Sequence, residues 1–286
     1  MTAKSFGTWE SAVAWLLQQP QYEEFCGHCY YDRPATAAAE RFWRSDEWKA
    51  LGRYLPQPPG RALDVGAGMG VASYALARDG WRTTALEPDP SALVGAQAIR
   101  NLAAGSGLNI EVVQEWGESL PFADASFELV HARQVLHHAR ELPQFCRELA
   151  RVTKPGGLVV ATREHVVSSS AQLPAFLAKH PLHHLYGGEN AFTRGTYRRA
   201  LQQAGLELLH DLGPLQSVIN YAPHTPASLV AEMQRRAARV PGLAPLIGAL
   251  FAQPWRQAAL AALSRVDRRA GRLHSFVARK PGGPAP

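Results

Sequence analysis

The sequence predicts an α/β protein built on a doubly wound, mostly parallel sheet of seven strands, with added N-terminal helices and a helical insertion before the last strand. Two observations carry this. Short apolar runs alternate with helical patterns between residues 61 and 162, a spacing that implies βαβ units with helices on both faces of a parallel sheet. A glycine-rich turn, Asp64-Val-Gly66-Ala67-Gly68-Met-Gly70, joins the first run to the first of these helices.

Residues 8–18 place Trp9, Val13, Leu16 and Leu17 near one helical face, and residues 35–54 repeat the pattern with Phe42, Trp43, Trp48 and Leu51. Two N-terminal helices are therefore expected. Pro56-Gln-Pro-Pro-Gly60 ends helix and introduces strand 61–65, which is short and mostly apolar like a buried parallel strand. There follow a helix at about 70–79, strand 81–86, a helix at about 90–104 and strand 109–114. After a loop come strand 127–132, a helix at about 141–153 and strand 157–162, with right-handed crossovers throughout. Beyond the fifth strand lies an irregular stretch rich in His, Pro and Gly (165–190). A helix at about 193–204, a strand at 206–212, a mainly helical stretch (225–270) and a last strand at 273–279 complete the chain.

These limits divide the chain into a helical cover (1–55), a core (56–212 and 272–280), a helical insertion or lid (213–271) and a disordered tail (281–286).

A hydrophobic fraction of 46% with seven Trp fills a sizeable core, and a charged fraction of 19% is too low for a disordered chain. No apolar stretch reaches the ~20 residues of a membrane span, and Glu10 stands where a signal peptide would be apolar, so a soluble, cytoplasmic protein is expected. The net charge of +6 comes from arginines in the C-terminal third, among them Arg235, Arg236, Arg265, Arg268, Arg269 and Arg272. They could attract a polyanion, but they are spread over several segments, as on a solvated helix face. The three cysteines argue against a disulfide framework. Cys26-Gly-His-Cys29 matches a redox tetrapeptide but lacks the strand before it that would build one, and no metal site is expected.

The turn at 64–70 lets backbone approach a ligand without Cβ obstruction. Its Gly66-x-Gly68-x-Gly70 spacing puts Val71 where a dinucleotide fingerprint needs its third glycine, which weakens a nicotinamide reading. The turn resembles motif I of the class I S-adenosylmethionine-dependent methyltransferases, which carry an acid two residues before the first glycine, here Asp64. A carboxylate there suits a cationic ammonium and sulfonium. Three further segments resemble the family at the expected distances. Glu87-Pro88 ends the second strand where the family places the acid that clamps both ribose hydroxyls. Glu115-Trp116-Gly117-Glu118-Ser-Leu-Pro-Phe122 resembles the segment that reads the adenine, with Trp116 replacing the usual Asp. His131-Ala-Arg133-Gln-Val-Leu-His137-His138 resembles the turn of the ubiquinone/menaquinone-type branch.

The resemblance covers about residues 60–165 and implies a Rossmann-like methyltransferase fold, S-adenosyl-L-methionine as cofactor, and cofactor contacts from Asp64, Gly66, Ala67, Gly68, Gly70, Glu87, Pro88, Trp116, Gly117, Glu118 and Arg133. Methyl transfer needs positioning and exclusion of water more than a nucleophilic residue, but a hydroxyl acceptor benefits from a general base. The candidates are His137, His138, Glu164 and His165, with His183 and His184 in the irregular segment. The implied reaction is methylation of a small molecule on oxygen, with a sugar or glycan-linked acceptor suggested by the segment 181–190. Nucleic acid is not an expected substrate, because residues 133–136 lack the turn of DNA amino-methyltransferases and the nucleophilic Cys of cytosine enzymes. The alternative is a non-catalytic module of the same fold whose basic C-terminal helices engage a polyanion or a protein partner. Oligomeric state is left open.

Overall fold

The computed structural model describes residues 5–282; of the expected C-terminal tail, 283–286 lie outside the described residues. Its elements in order are α1 (Trp9–Leu16), α2 (Glu23–His28), α3 (Ala35–Arg44), α4 (Asp46–Gly52), β1 (Arg61–Val65), α5 (Val71–Arg78), β2 (Arg82–Leu86), α6 (Ala96–Ser106), β3 (Ile110–Val113), β4 (Phe127–Arg133), α7 (Leu142–Val152) and β5 (Thr153–Val167). They continue with α8 (Leu173–Leu177), α9 (Pro181–Leu185), β6 (Phe192–Thr193), α10 (Arg194–Gln203), β7 (Glu207–Leu212), α11 (Val218–Tyr221), α12 (Pro226–Ala237), α13 (Leu243–Leu250), α14 (Arg256–Val266) and β8 (Arg272–Arg279).

The strands form one sheet in the order β3-β2-β1-β4-β5-β8-β7, with β6 pairing β5. Strands β1 to β6 pair in parallel, and β8 runs antiparallel to both β5 and β7. The sheet thus has eight strands rather than the expected seven, because the two residues of β6 pair with the far end of β5. Strand order reverses between β1 and β4, so the switch point where such sheets bind ligands lies at their carboxyl ends.

Each face of the sheet carries a core. On one, Val13, Leu16, Phe42, Trp48 and Leu76 pack over Leu129 and Val160. On the other, Phe145, Leu149 and Tyr197 pack over Leu63, Val130 and Phe276. Burying each such side chain contributes about 1.5–3 kcal/mol. The insertion has its own small cluster of Leu215, Val230, Phe251 and Leu260.

Two departures from expectation shape the site. The helical pattern at 35–54 breaks at Ser45, whose extended backbone ends α3 while its hydroxyl accepts the Trp48 N–H at 3.1 Å and caps α4. The break turns Glu47 inward, where it is buried. The fifth strand, expected at 157–162, runs on to Val167 through an irregularity at Arg163, whose φ is +59°. Glu164 and His165 therefore sit within β5 rather than after it. The Cys26–Cys29 tetrapeptide lies on and just beyond α2, another helix the pattern did not predict, and burial pushes the Cys29 thiol up to about 12, away from thiolate chemistry.

Candidate functional site

Gly66, Gly68 and Gly70 have φ of +61°, +57° and +87°, so the turn between β1 and α5 is left-handed at alternate residues. A Cβ on Gly66 would lie 2.7 Å from Val135 Cγ2, which makes glycine obligatory there for two separate reasons. The Ala67 N–H donates to Leu86 O at 3.1 Å, joining the turn to the end of β2.

Asp64 precedes the turn and is buried beside its register neighbour His131 on β4. Its Oδ1 lies 2.8 Å from His131 Nδ1, and its Oδ2 accepts the Ser73 hydroxyl at 2.6 Å. Each carboxylate oxygen thus has one protein partner, and the charge of Asp64 acts on a nearby cation from within this network. At the end of β2, Glu87 Oε2 accepts the Gly68 N–H at 2.7 Å and Oε1 accepts the Asp89 N–H at 2.9 Å. Glu87 forms no ion pair among the described residues, and burial pushes its pKa up to about 7. Each oxygen keeps a lone pair for a hydroxyl donor. Pro88 follows it at the start of the loop to α6.

Trp116 is 63% exposed, so it is no part of the core, and the Arg140 guanidinium lies 5.7 Å from its ring centroid. Gly117 packs on α7: an added Cβ would lie 2.3 Å from Phe145. Glu118 accepts the Arg140 N–H at 3.1 Å. Arg133, at the end of β4, is held by Glu47 through bonds of 2.7 and 3.2 Å. Glu47 also lies 3.6 Å from Arg163. Burial pushes the Glu47 pKa up, but Arg133 and Arg163 outweigh it and hold the carboxyl below its usual range. This buried triad ties the N-terminal cover to β4 and β5. From the same cover, Glu10 accepts the Leu93 N–H at 3.0 Å, and the Trp9 ring reaches to 3.7 Å from where a Cβ on Gly68 would stand.

The four catalytic candidates take different roles. Glu164 is fully buried, and its carboxylate accepts the N–H groups of Val135, Leu136 and His137 and lies 2.7 Å from His137 Nδ1. It staples the turn after β4. His137 is buried, and burial, reinforced by His138 and His180, lowers its pKa well below the ordinary value. His165 donates from Nδ1 to Gly271 O at 3.1 Å and is likewise lowered by burial. His138 is exposed, with Nδ1 3.0 Å from Gly188 O, and its Nε2 has no hydrogen-bond partner among the described residues. The rings of His137 and His138 are 4.1 Å apart, and those of His137 and His165 are 4.8 Å apart. His183 and His184 lie on α9, where His184 bonds Ala178 O at 2.8 Å.

Sequence reasoning missed His131, Ser73, Glu47, Arg163, His180 and Glu189. A signal existed for His131, a polar residue within the mostly apolar run 127–132 as Asp64 is within 61–65. None existed for Glu47, on a cover helix, while Glu189 lies in the segment 181–190 that suggested a substrate loop but was not singled out within it. The C-terminal arginines are partly neutralised locally, Arg235 and Arg236 by Glu232 and Arg269 by Asp267, each at 2.6 Å, as on a solvated face. No helix among the described residues is long and apolar enough to cross a membrane.

A family model described as "Methyltransferase domain" matches residues 63–161. The chain is 30% identical over 184 residues to a ubiquinone biosynthesis O-methyltransferase of Methylobacterium sp. (strain 4-46), covering 62% of this chain and 73% of that protein. It is 31% identical over 165 residues to the protein of that name from Methylobacterium nodulans, covering 56% and 65%. Matches to several other curated relatives span about half of their length. The fold is shared with an S-adenosylmethionine-dependent methyltransferase from Mesorhizobium loti, with a TM-score of 0.53 at 19% identity over 83% of this chain and 99% of that one.

Proposed function

The chain belongs to the class I S-adenosylmethionine-dependent methyltransferases of the ubiquinone-type branch, and from that premise we propose that it transfers a methyl group from S-adenosyl-L-methionine to a hydroxyl of a small molecule. The observation that carries this reading is Glu87: a buried carboxylate at the carboxyl end of β2, held to the backbone of the glycine turn and without an ion-pair partner among the described residues. Such a group fits a ligand that brings hydroxyl donors and a cation to the switch point.

In this reading Gly66, Ala67, Gly68 and Gly70 bring backbone to the cofactor. Glu87 and the Pro88 turn hold the ribose, and Trp116, Gly117 and Glu118 flank the adenine. Asp64 sets the local field through His131 and Ser73, while Arg133 fastens the cover to the crevice. When bound, the cofactor supplies an electrophilic methyl group on a sulfonium. His138 takes the acceptor's proton at Nε2, because its Nδ1 is pinned by Gly188 O and it is the candidate left exposed. Glu164, committed to the turn it staples, positions His137 and His138. Helices α1 to α4 and the insertion (213–271) exclude water above them. The acceptor class follows the relatives named as O-methyltransferases, with a phenol or a sugar hydroxyl as the two forms to be distinguished.

Calorimetry with S-adenosylmethionine and S-adenosylhomocysteine tests the reading. Low-micromolar to millimolar binding by the wild type, lost in Glu87→Ala, is expected. Melting curves must accompany Asp64→Ala, whose buried partners lose their acceptor. Absence of binding by folded wild type, or unchanged binding in folded Glu87→Ala, sinks the proposal. A methyl-transfer screen over phenols, sugars and amines then decides the acceptor.

A further inference from the structure

The fold gathers His137, His165 and Glu189 from the β4 exit, β5 and the loop after α9, with one ligand atom of each within 4.8 Å of the others. Residue types and spacing alone mark 137 and 165 as candidate bases and do not point to an ion. Their surroundings do. Both imidazoles are anchored through Nδ1, His137 on the Glu164 carboxylate at 2.7 Å and His165 on Gly271 O at 3.1 Å. This is the outer arrangement that fixes the tautomer of metal-ligating histidines and leaves Nε2 with its lone pair outward.

The carboxylate of Glu189 is the second observation. Its side chain is 8% exposed, and Oε2 is buried without a hydrogen-bond partner. It lies 3.7 Å from His137 Nε2, while Oε1 lies 3.7 Å from His180 Nδ1, itself buried and unpartnered. These separations are too long for hydrogen bonds. The His137–Glu189 separation is close to the spacing of donors around one ion, since ligands about 2.1 Å from a tetrahedral metal stand roughly 3.4 Å apart, and the wider 4.8 Å limit of the triad requires the donors to draw in by about 1 Å when the ion binds. An unpaired buried carboxylate among neutral imidazoles is costly, and a cation shared with them removes that cost.

We propose that His137, His165 and Glu189 bind a divalent transition-metal ion through two imidazole nitrogens and one carboxylate oxygen, with His180 beside them and at least one coordination position open. Two nitrogens and one oxygen suit Zn²⁺, Co²⁺, Fe²⁺ or Ni²⁺ better than Mg²⁺ or Ca²⁺, which prefer all-oxygen shells. Three protein ligands are the pattern of a site that keeps a place for water or substrate. The ion stands at the sheet end that also carries the glycine turn. If the methyl-transfer reading holds, it would act on the acceptor as a Lewis acid, lowering the pKa of a coordinated hydroxyl so that its proton passes more readily to His138.

The test is titration of ZnCl₂ into EDTA-treated, dialysed full-length protein by calorimetry, with cobalt substitution as the spectroscopic readout. The wild type is expected to bind one equivalent, and His165→Asn and Glu189→Gln to weaken binding at least about 100-fold while melting curves show both variants folded. Glu164→Gln, which alters the anchor of His137 together with the staple of its turn, is expected to weaken it by about 10–100-fold in protein shown by melting curves to be folded. The Co²⁺ form should show ligand-field bands without thiolate charge transfer, and the Cys26→Ser/Cys29→Ser double variant should bind like wild type. Lack of saturable binding, wild-type affinity in both folded ligand variants, or loss of binding in the cysteine double variant would each overturn the site. Titrating S-adenosylmethionine into the same metal-free samples separates the two proposals: cofactor binding without zinc binding rejects the metal site alone, and zinc binding without cofactor binding rejects the methyl-transfer reading alone.

Discussion

Replacing Glu87 with Gln exposes how the crevice at the carboxyl ends of β1 and β2 is charged. In the folded protein the carboxyl is raised from an ordinary value of 4.5 to about 7, mainly by burial, against which the N–H groups of Asp89 and Gly68 offer partial relief. The folded state therefore holds a proton that the unfolded state releases between these values, and stability falls as pH rises through that window. The contribution is fully present below about 4.5 and lost above about 7. At 1.36 kcal/mol per pH unit, integration from pH 5 to pH 8 gives about 2.5 kcal/mol. Glutamine does not titrate, so the wild-type stability minus that of Glu87→Gln should fall by this amount over that range. For a chain of this size it corresponds to roughly 5–10 °C in the difference of melting temperatures. Urea or thermal unfolding at pH 5, 6, 7 and 8 measures it. Cofactor binding should run the other way if Glu87 holds the ribose as proposed, because the hydroxyls then need the ionised acceptor: the affinity of the wild type should drop about tenfold from pH 8 to pH 6. A difference curve that is flat with pH, together with pH-independent affinity, would refute the argument that this carboxylate is buried, titrating and in contact with the ligand.

Glu47→Gln should destabilise the fold by about 3–5 kcal/mol, measured by urea unfolding, because Arg133 and Arg163 would stay buried without their counter-charge. His138→Ala should lower kcat by about 10²–10⁴-fold with cofactor affinity unchanged; full activity in a steady-state assay would remove it as the base. Trp116→Ala should change stability by less than about 0.5 kcal/mol, since the ring is exposed. It should still weaken cofactor affinity about 2–10-fold by calorimetry if the indole stacks on adenine. Gly66→Ala should lower the melting temperature and abolish cofactor binding, since the new methyl would meet Val135 in a left-handed backbone.

The order of strands and helices from β1 to β5 was legible because each depends on local pattern: buried parallel strands read as apolar runs, and the glycine turn between them needs residues free of Cβ. The same locality marked Asp64, Glu87 and the turn at 134–138 as candidates, since each lies within a few residues of a strand's carboxyl end. What the tertiary structure alone decided is which polar groups meet. The sequence placed Asp64 before a turn, but its partners His131 and Ser73 come from another strand and the next helix. Ser45 broke a helix that periodicity read as continuous and so delivered Glu47 to two arginines. The bulge at Arg163 carried β5 far enough to set Glu164 under one turn and His165 beside His137. Glu189, 52 residues from His137 in the chain, joins them only through the loop after α9. Side-chain pairing across such distances leaves no periodicity in one sequence, because the contacts are set by how packed elements face one another rather than by the spacing of residues along any of them.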